Sequence, residues 1–293
     1  MKLTDNSFNI LNECDIKLFV NKKKKDNVIK PSDIPLRKLI FNESEMKQLS
    51  LLKNLLEETS FIETQKRLTN KGLPQGVTVL FHGFPGTGKT ETVNQLAKET
   101  SREIMKVEIS KSKSMWFGES EKIIKRIFVD YKAFAKECER TPILLFNEAD
   151  AIISKRREIG NSNVAQTENA IQNIILEELE NFEGILIATT NLATNLDFAF
   201  ERRFLFKIEF HKPDIHIKAQ IWKLKLPHLS NSESETLASQ FDFSGGQIDN
   251  IVRKNEIHEI IHGVSVGFQS ILDFCKEEIL GNIRTRIGFN NIK

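Results

Sequence analysis

An α/β fold, with a doubly wound parallel sheet of five strands followed by a helical domain, is predicted by three features of this 293-residue sequence. A glycine-rich loop, GFPGTGKT at 83–90, sits between a short apolar run and a helical pattern. Apolar runs of strand length then alternate with stretches of helical periodicity as far as residue 210. After Pro213 only helical spacing remains. The expected organisation is a lead-in over 1–70, an αβα domain over 71–212 and a helical domain over 213–293.

In the lead-in, NKKKKDN at 21–27 is a basic run followed by Lys30–Pro31 and Ile34–Pro35, which break regular structure. It reads as a solvated linker or as a docking patch for an acidic partner. Residues 43–68 carry the apolar spacing of one or two helices. Val77–His82 is β-branched and aromatic and bounded by Gly and Pro, as a buried strand is; Thr87–Glu99 places Val93, Leu96 and Ala97 on one helical face. EIMKVEIS at 103–110 is the next strand, and Glu119–Glu139 carries an apolar stripe from Ile123 to Cys138. PILLF at 142–146 and GILIATT at 184–190 are wholly apolar or nearly so, as central parallel strands are, and LFKIEF at 205–210 alternates. Between them, Gln166–Phe182 is helical. Four helices are expected beyond Pro213, at 215–226, 233–240, 247–262 and 268–280.

Composition narrows the function classes. With 40% hydrophobic and 28% charged residues the chain is of ordinary globular type, and a net charge of +2 makes no case for nucleic acid or an anionic membrane as a general partner. No apolar run approaches the roughly 18–20 residues of a membrane span. Cys14, Cys138 and Cys275 are scattered and form neither a disulfide framework nor a zinc pattern, which fits a reducing cytoplasm.

The chemistry is concentrated at a few positions. Gly83, Gly88, Lys89 and Thr90 fit the phosphate-binding (P-loop) pattern G-x-x-x-x-G-K-[ST], and the strand and helix around them supply the required context. The loop, from Pro85 (which has no N–H of its own) through Gly86 and Thr87 to Glu91, converges its backbone N–H groups at a helix N-terminus and suits an anion. Lys89 would reach the β- and γ-phosphates of ATP, and the Thr90 hydroxyl would ligate Mg²⁺. PILLF runs into Asn147-Glu148-Ala149-Asp150. Glu148 is the candidate for polarising an attacking water, or a solvated carboxylate at a strand end. Asn147 stands where an aspartate behind the Mg²⁺ waters is usual; its amide oxygen can accept a hydrogen bond but brings no charge. Asn191, at the end of GILIATT, can contact the γ-phosphate or the water, or begin a turn. Arg202 and Arg203 are adjacent guanidiniums with no obvious partner in their own chain. They are a solvated pair or an arginine finger offered to a neighbouring subunit.

GFPGTGKT, the strand with NEAD, ATTN, AFERRF and FSGGQIDNIVRK occur in the order and approximate spacing of the AAA+ ATPases, and residues ~70 to ~265 resemble the AAA proteins proper. That resemblance implies an αβα nucleotide domain with a helical lid, working as a homo-oligomeric ring, usually a hexamer. It makes Lys89 and Thr90 the Walker A pair, Glu148 the Walker B base, Asn191 sensor 1, and Arg202 and Arg203 the paired arginines. Ser244, Gly245 and Gly246 resemble the small-residue turn that sets the lid against the adenine. A lid arginine at that spot is absent, and Arg253 is left without a role. Trp116, Phe117 and Gly118 resemble a first pore loop that grips polypeptide, against ordinary burial of the two rings. The run Lys155-Arg156-Arg157 falls where a second pore loop would lie, touching substrate or a neighbouring subunit, or is a solvated turn. The implied function is an ATP-hydrolysing motor that remodels or unfolds protein substrates, slowed by Asn147. The alternatives are a nucleotide-gated scaffold and a DNA-associated ATPase, the latter supported only by Lys22–Lys25.

Overall fold

The structure, a computed structural model, describes residues 27–108, 120–153, 163–191 and 196–279. Trp116, Phe117, Gly118 and the Lys22–Lys25 and Lys155–Arg157 runs lie outside the described residues. Six strands, β1 (Val28–Ile29), β2 (Val77–Gly83), β3 (Ile104–Glu108), β4 (Ile143–Asn147), β5 (Ile185–Thr189) and β6 (Phe206–Phe210), form one sheet in the order β1-β3-β4-β5-β2-β6. The five expected strands are all parallel; β1 is an additional edge strand, antiparallel to β3. Two residues have no periodicity, so β1 left no signal beside the basic run.

The chain leaves β2 for the far side of the sheet, returns through β4 and β5, and then crosses to β6 on the other flank of β2. Strand order therefore reverses at β2, and the crevice beyond the strand C-termini opens there. Alternation sorts the strand side chains onto two covered faces. Leu144, Phe146 and Leu186 pack with Phe128 and Tyr131 of α4 (Ser120–Ala135) and with Ile171 and Ile175 of α6 (Asn163–Glu180). Val77, Val79, Phe81, Leu145 and Ile187 pack on the other face with Val93 and Leu96 of α3 (Lys89–Glu99). Two single-turn helices, α5 (Asp150–Ile153) and α7 (Phe198–Glu201), are too short for periodicity to announce.

The expected lead-in is more than a linker. α1 (Glu43–Leu56) and α2 (Glu58–Asn70) bury Leu49, Leu52, Leu56 and Phe61 in the same cluster as Val77 and Ile185. Burial of this size is worth about 1.5–3 kcal/mol per large side chain, so these helices belong energetically to the sheet. Arg102 locks them there. Fully buried, it donates from Nε and Nη2 to the Leu56 carbonyl at 3.0 and 2.9 Å and from Nη1 to the Thr141 carbonyl at 2.7 Å. Its Nη2 also pairs with Glu58 at 2.8 Å.

The C-terminal helices α8 (Ile215–Lys225), α9 (Asn231–Gln240), α10 (Gly245–His262) and α11 (Phe268–Glu278) enclose a separate core around Trp222, Leu237, Ile251 and Ile271. Asp214, Ser230 and Ser244 cap the first three, the last two through reciprocal capping boxes with Glu233 and Gln247. Among the described residues, no helix is long and apolar enough to cross a membrane.

Replacing Arg102 by Met keeps the stem but strands the Leu56 and Thr141 carbonyls. Urea denaturation is expected to show a loss of about 3 kcal/mol, whereas Glu58→Gln should cost under about 1 kcal/mol because that partner is partly solvated. A loss below 1 kcal/mol in Arg102→Met would remove the locking role.

Candidate functional site

β2 ends in Gly83, and the loop to α3 turns through left-handed backbone at Gly83, Gly86 and Gly88. At Gly83 a Cβ would lie 2.2 Å from the Phe210 carbonyl oxygen, so only glycine lets the loop start against β6. At Gly86 (φ +73°) a Cβ would lie 2.7 Å from the Ser244 hydroxyl. That close approach is where the helical domain touches the loop: the Gly246 N–H donates to the Gly86 carbonyl at 2.8 Å. Gly245 and Gly246 thus come to the loop by presenting bare backbone.

Lys89 is nearly buried, and its ammonium donates to the carbonyls of Gly83 at 2.9 Å and Phe84 at 2.7 Å. Burial lowers its pKa to about 8, against an opposing pull from the Asp150 carboxylate. The loop thereby holds the cation over its own carbonyls, ready to exchange them for an anion. The Thr90 hydroxyl donates to Asn147 Oδ1 at 2.8 Å, and the Thr189 hydroxyl donates to the same oxygen at 3.2 Å. Oxygens of Thr and Asn so placed are hard donors suited to Mg²⁺ and its waters, so the residues present fit that ion, with one negative charge fewer than an aspartate would give.

Beyond Asn147, Glu148 adopts φ +53°, a left-handed conformation rare outside glycine. This kink ends β4 at once and leaves the Glu148 side chain exposed at the mouth of the crevice. Its N–H donates to Thr189 Oγ1 at 3.1 Å, and the Ala149 N–H donates to the Thr189 carbonyl at 2.8 Å. Asn191 follows β5 by two residues, and its N–H donates to Asp150 Oδ1 at 3.0 Å. Lys89, Thr90, Glu148 and Asn191, with Pro85, Gly86, Gly88 and Glu91, line one cavity of about 330 Å³. A larger one of about 870 Å³ adjoins it through Gly86, Gly88 and Glu91, and runs between Ile40 and Phe41 on one side and Ile221, Gly246 and Arg253 on the other. A small polar end and a larger, partly apolar end match a phosphate chain and a base with its ribose.

Three positions have partners that the sequence did not announce. The Glu91 carboxylate accepts from Gln95 Nε2 at 2.8 Å and lies 3.7 Å from Arg37, so it fastens the segment before α1 to α3 while facing the cavities. Arg203 is not without a partner in its own chain: it is ion-paired with Glu180 at the end of α6, which no local spacing could reveal. Arg202 lies 4.2 Å from the centre of the Phe198 ring, a cation–π contact within α7 and its cap. Both arginines stand apart from the two cavities of their own chain. Arg253, unassigned from sequence, lines the larger cavity.

Sequence reasoning missed the wall formed by residues 37–45. Asn42 Nδ2 donates to the Lys212 carbonyl at 3.2 Å, the Asp214 N–H donates to Asn42 Oδ1 at 2.9 Å, and the His211 N–H donates to Glu45 Oε1 at 3.1 Å. The start of α1 therefore grips the link between β6 and α8. It also missed Lys225, paired with Asp249 at 2.8 Å on the cavity wall, because one ion pair between distant helices has no sequence signature.

A family model described as "ATPase family associated with various cellular activities (AAA)" matches residues 79–212. Among curated relatives, Protein CdcH of Halobacterium salinarum is 29% identical over 205 residues, 67% of this chain and 26% of that protein. Cell division protein C of Sulfolobus acidocaldarius is 25% identical over 227 residues, 75% of this chain and 60% of the relative. Vacuolar protein sorting-associated protein 4B of Mus musculus is 31% identical over 186 residues, 60% of this chain and 40% of the relative. The chain thus spans less than two thirds of the length of each of these.

Two outcomes follow from this geometry. Because Lys89 loses its proton near pH 8 in the free chain, affinity for an ATP analogue is expected to fall about tenfold per unit as pH rises above that point; a flat titration from pH 7 to 9.5 would contradict it. Asn147→Asp adds a charge beside Thr90, and the Mg²⁺ concentration needed for half-maximal analogue binding is expected to drop about tenfold. An unchanged Mg²⁺ midpoint would place position 147 outside the ion's field.

Proposed function

We propose, from the match of an AAA-family model to residues 79–212, that this chain is an ATP-hydrolysing motor, built as a homo-oligomeric, hexameric ring, that remodels or unfolds polypeptides. The observation that carries this reading is the convergence, in one small cavity, of Lys89 and Thr90 from the loop after β2, Glu148 from the end of β4 and Asn191 from beyond β5. Lys89 and the loop N–H groups neutralise the phosphate chain, and Thr90 with Asn147 would hold Mg²⁺, which would supply charge to offset that on the phosphate oxygens. Glu148 accepts a proton from the attacking water, and Asn191 holds the water or the γ-phosphate without adding charge.

Arg202 and Arg203 serve a neighbour's nucleotide in this reading, Arg203 exchanging Glu180 for phosphate as subunits meet. Polypeptide as substrate is proposed from the sequence Trp116-Phe117-Gly118, and a cytoplasmic site of action from the cysteine pattern. The near-neutral net charge of +2 supports protein over nucleic acid as the partner.

Steady-state ATP turnover measured against protein concentration tests the proposal. Specific activity is expected to rise with concentration, to fall at least about a hundredfold in Glu148→Gln, and to recover in part when Glu148→Gln is mixed with Arg203→Ala, each supplying what the other lacks. Tight ATP binding with no turnover at any concentration would instead mark a nucleotide-gated scaffold.

A further inference from the structure

The four-residue helix α5 hangs from the tip of β4, and its first side chain, Asp150, reaches across to the chain leaving β5. Asp150 Oδ1 accepts the Asn191 N–H at 3.0 Å and also the Thr190 hydroxyl. Thr190 is itself fixed on the opposite side, its N–H donating to the Phe81 carbonyl of β2 at 2.9 Å. Asn191 lies beyond the last ladder pair of β5, which joins Phe81 to Thr189, so the sheet no longer sets its position. Asp150 does not line the cavity that Asn191 lines. Its place is behind the site.

We propose that Asp150 is a positioning residue that ties the tip carrying Asn191 to the tip carrying Glu148, and so fixes Asn191 for distinguishing ATP from ADP and for turnover. The proposal deepens the ATPase reading and depends on it. What the geometry requires of Asp150 is an acceptor oxygen at Oδ1, since both bonds enter there. An asparagine offers the same oxygen without the charge that pulls the Lys89 pKa upward, whereas an alanine removes the acceptor; the comparison is therefore made well below the pH at which Lys89 deprotonates. Misplacing a group at a reacting centre by about 1 Å costs on the order of a hundredfold in rate, so an effect of that scale is expected at kcat and little at the loop that binds the other phosphates.

The test compares wild type, Asp150→Ala, Asp150→Asn, Thr190→Val, Asn191→Ala and the double variant Asp150→Ala/Asn191→Ala. The readouts are kcat, KM and the ratio of dissociation constants for ADP and a non-hydrolysable ATP analogue, with ADP affinity reporting an intact fold. Asp150→Ala is expected to lower kcat about thirtyfold or more with KM within about threefold, and to bring the ADP/ATP-analogue ratio down to that of Asn191→Ala. Asp150→Asn should return both within about threefold of wild type, and the double variant should be no worse than Asn191→Ala alone, as for groups acting through one another. Wild-type values in Asp150→Ala, a failure of Asp150→Asn to rescue, or losses that add in the double variant would each overturn the proposal. If Asp150→Ala does not fold, a wild-type ratio in Thr190→Val overturns it and a reduced ratio upholds it. A wild-type chain that binds ATP without turnover fails the motor reading alone, and the ratio still decides for Asp150. A wild-type chain that binds neither nucleotide overturns both.

Discussion

The register of β2, β4 and β5 is the constraint on which the site depends. Val77 and Ile143 are both level with Ile185, so β2 and β4 are referenced to the same residue of the central strand. Counting forward, Phe81 meets Thr189 and Phe146 meets Ala188, which brings Asn147 and Thr189 to one height at the crevice. The Thr90–Asn147–Thr189 hydrogen bonds and the two N–H groups that follow Asn147 then close the gap between tips. Slipping any strand by one residue would exchange its two buried faces, which the packed helices on both sides forbid. Apolar packing far from the nucleotide site thereby sets distances within it.

Much of this was legible in the sequence because it has local signatures. The loop pattern at 83–90, the uninterrupted apolar runs of β4 and β5 and the motif at 244–246 each fit in a few consecutive residues. What escaped is long-range. β1 is two residues long, and its partner β3 is more than seventy residues away. Arg102 has no local pattern to single it out, yet the carbonyls of Leu56 and Thr141, distant on either side, hold it in the core. Asp150 was visible in NEAD, but its acceptor role appears only when Thr190 and Asn191 are brought across from β5. Glu180 likewise shows its hold on Arg203 only in the folded chain.

The segment before the P-loop domain is tied to the nucleotide cavity at both ends. Gln95 Nε2 donates to the Pro35 carbonyl at 2.9 Å, and Gln95 Oε1 accepts the Arg37 N–H at 3.1 Å, which docks one end on α3. Asn42 and Glu45 hold the other end to 211–214, the link into the helical domain. Glu45 is almost wholly buried, yet its pKa is lowered: burial raises it, and hydrogen bonds from Ser44, its own N–H, His211 and Asn42 outweigh that. A carboxylate so satisfied is a rigid anchor. The helical domain can therefore reorient only about a link that α1 already grips.

Glu148 shows how a working position departs from the conformation its residue type prefers. Left-handed backbone disfavours any side chain with a Cβ by about 1–2 kcal/mol, and glycine escapes most of that cost. Drift toward greater thermal robustness would therefore favour glycine at 148, which has no carboxylate to serve as the proposed base. On the proposed mechanism, a stabilised descendant selected without regard to turnover would keep its fold and its nucleotide and lose its chemistry at this single codon.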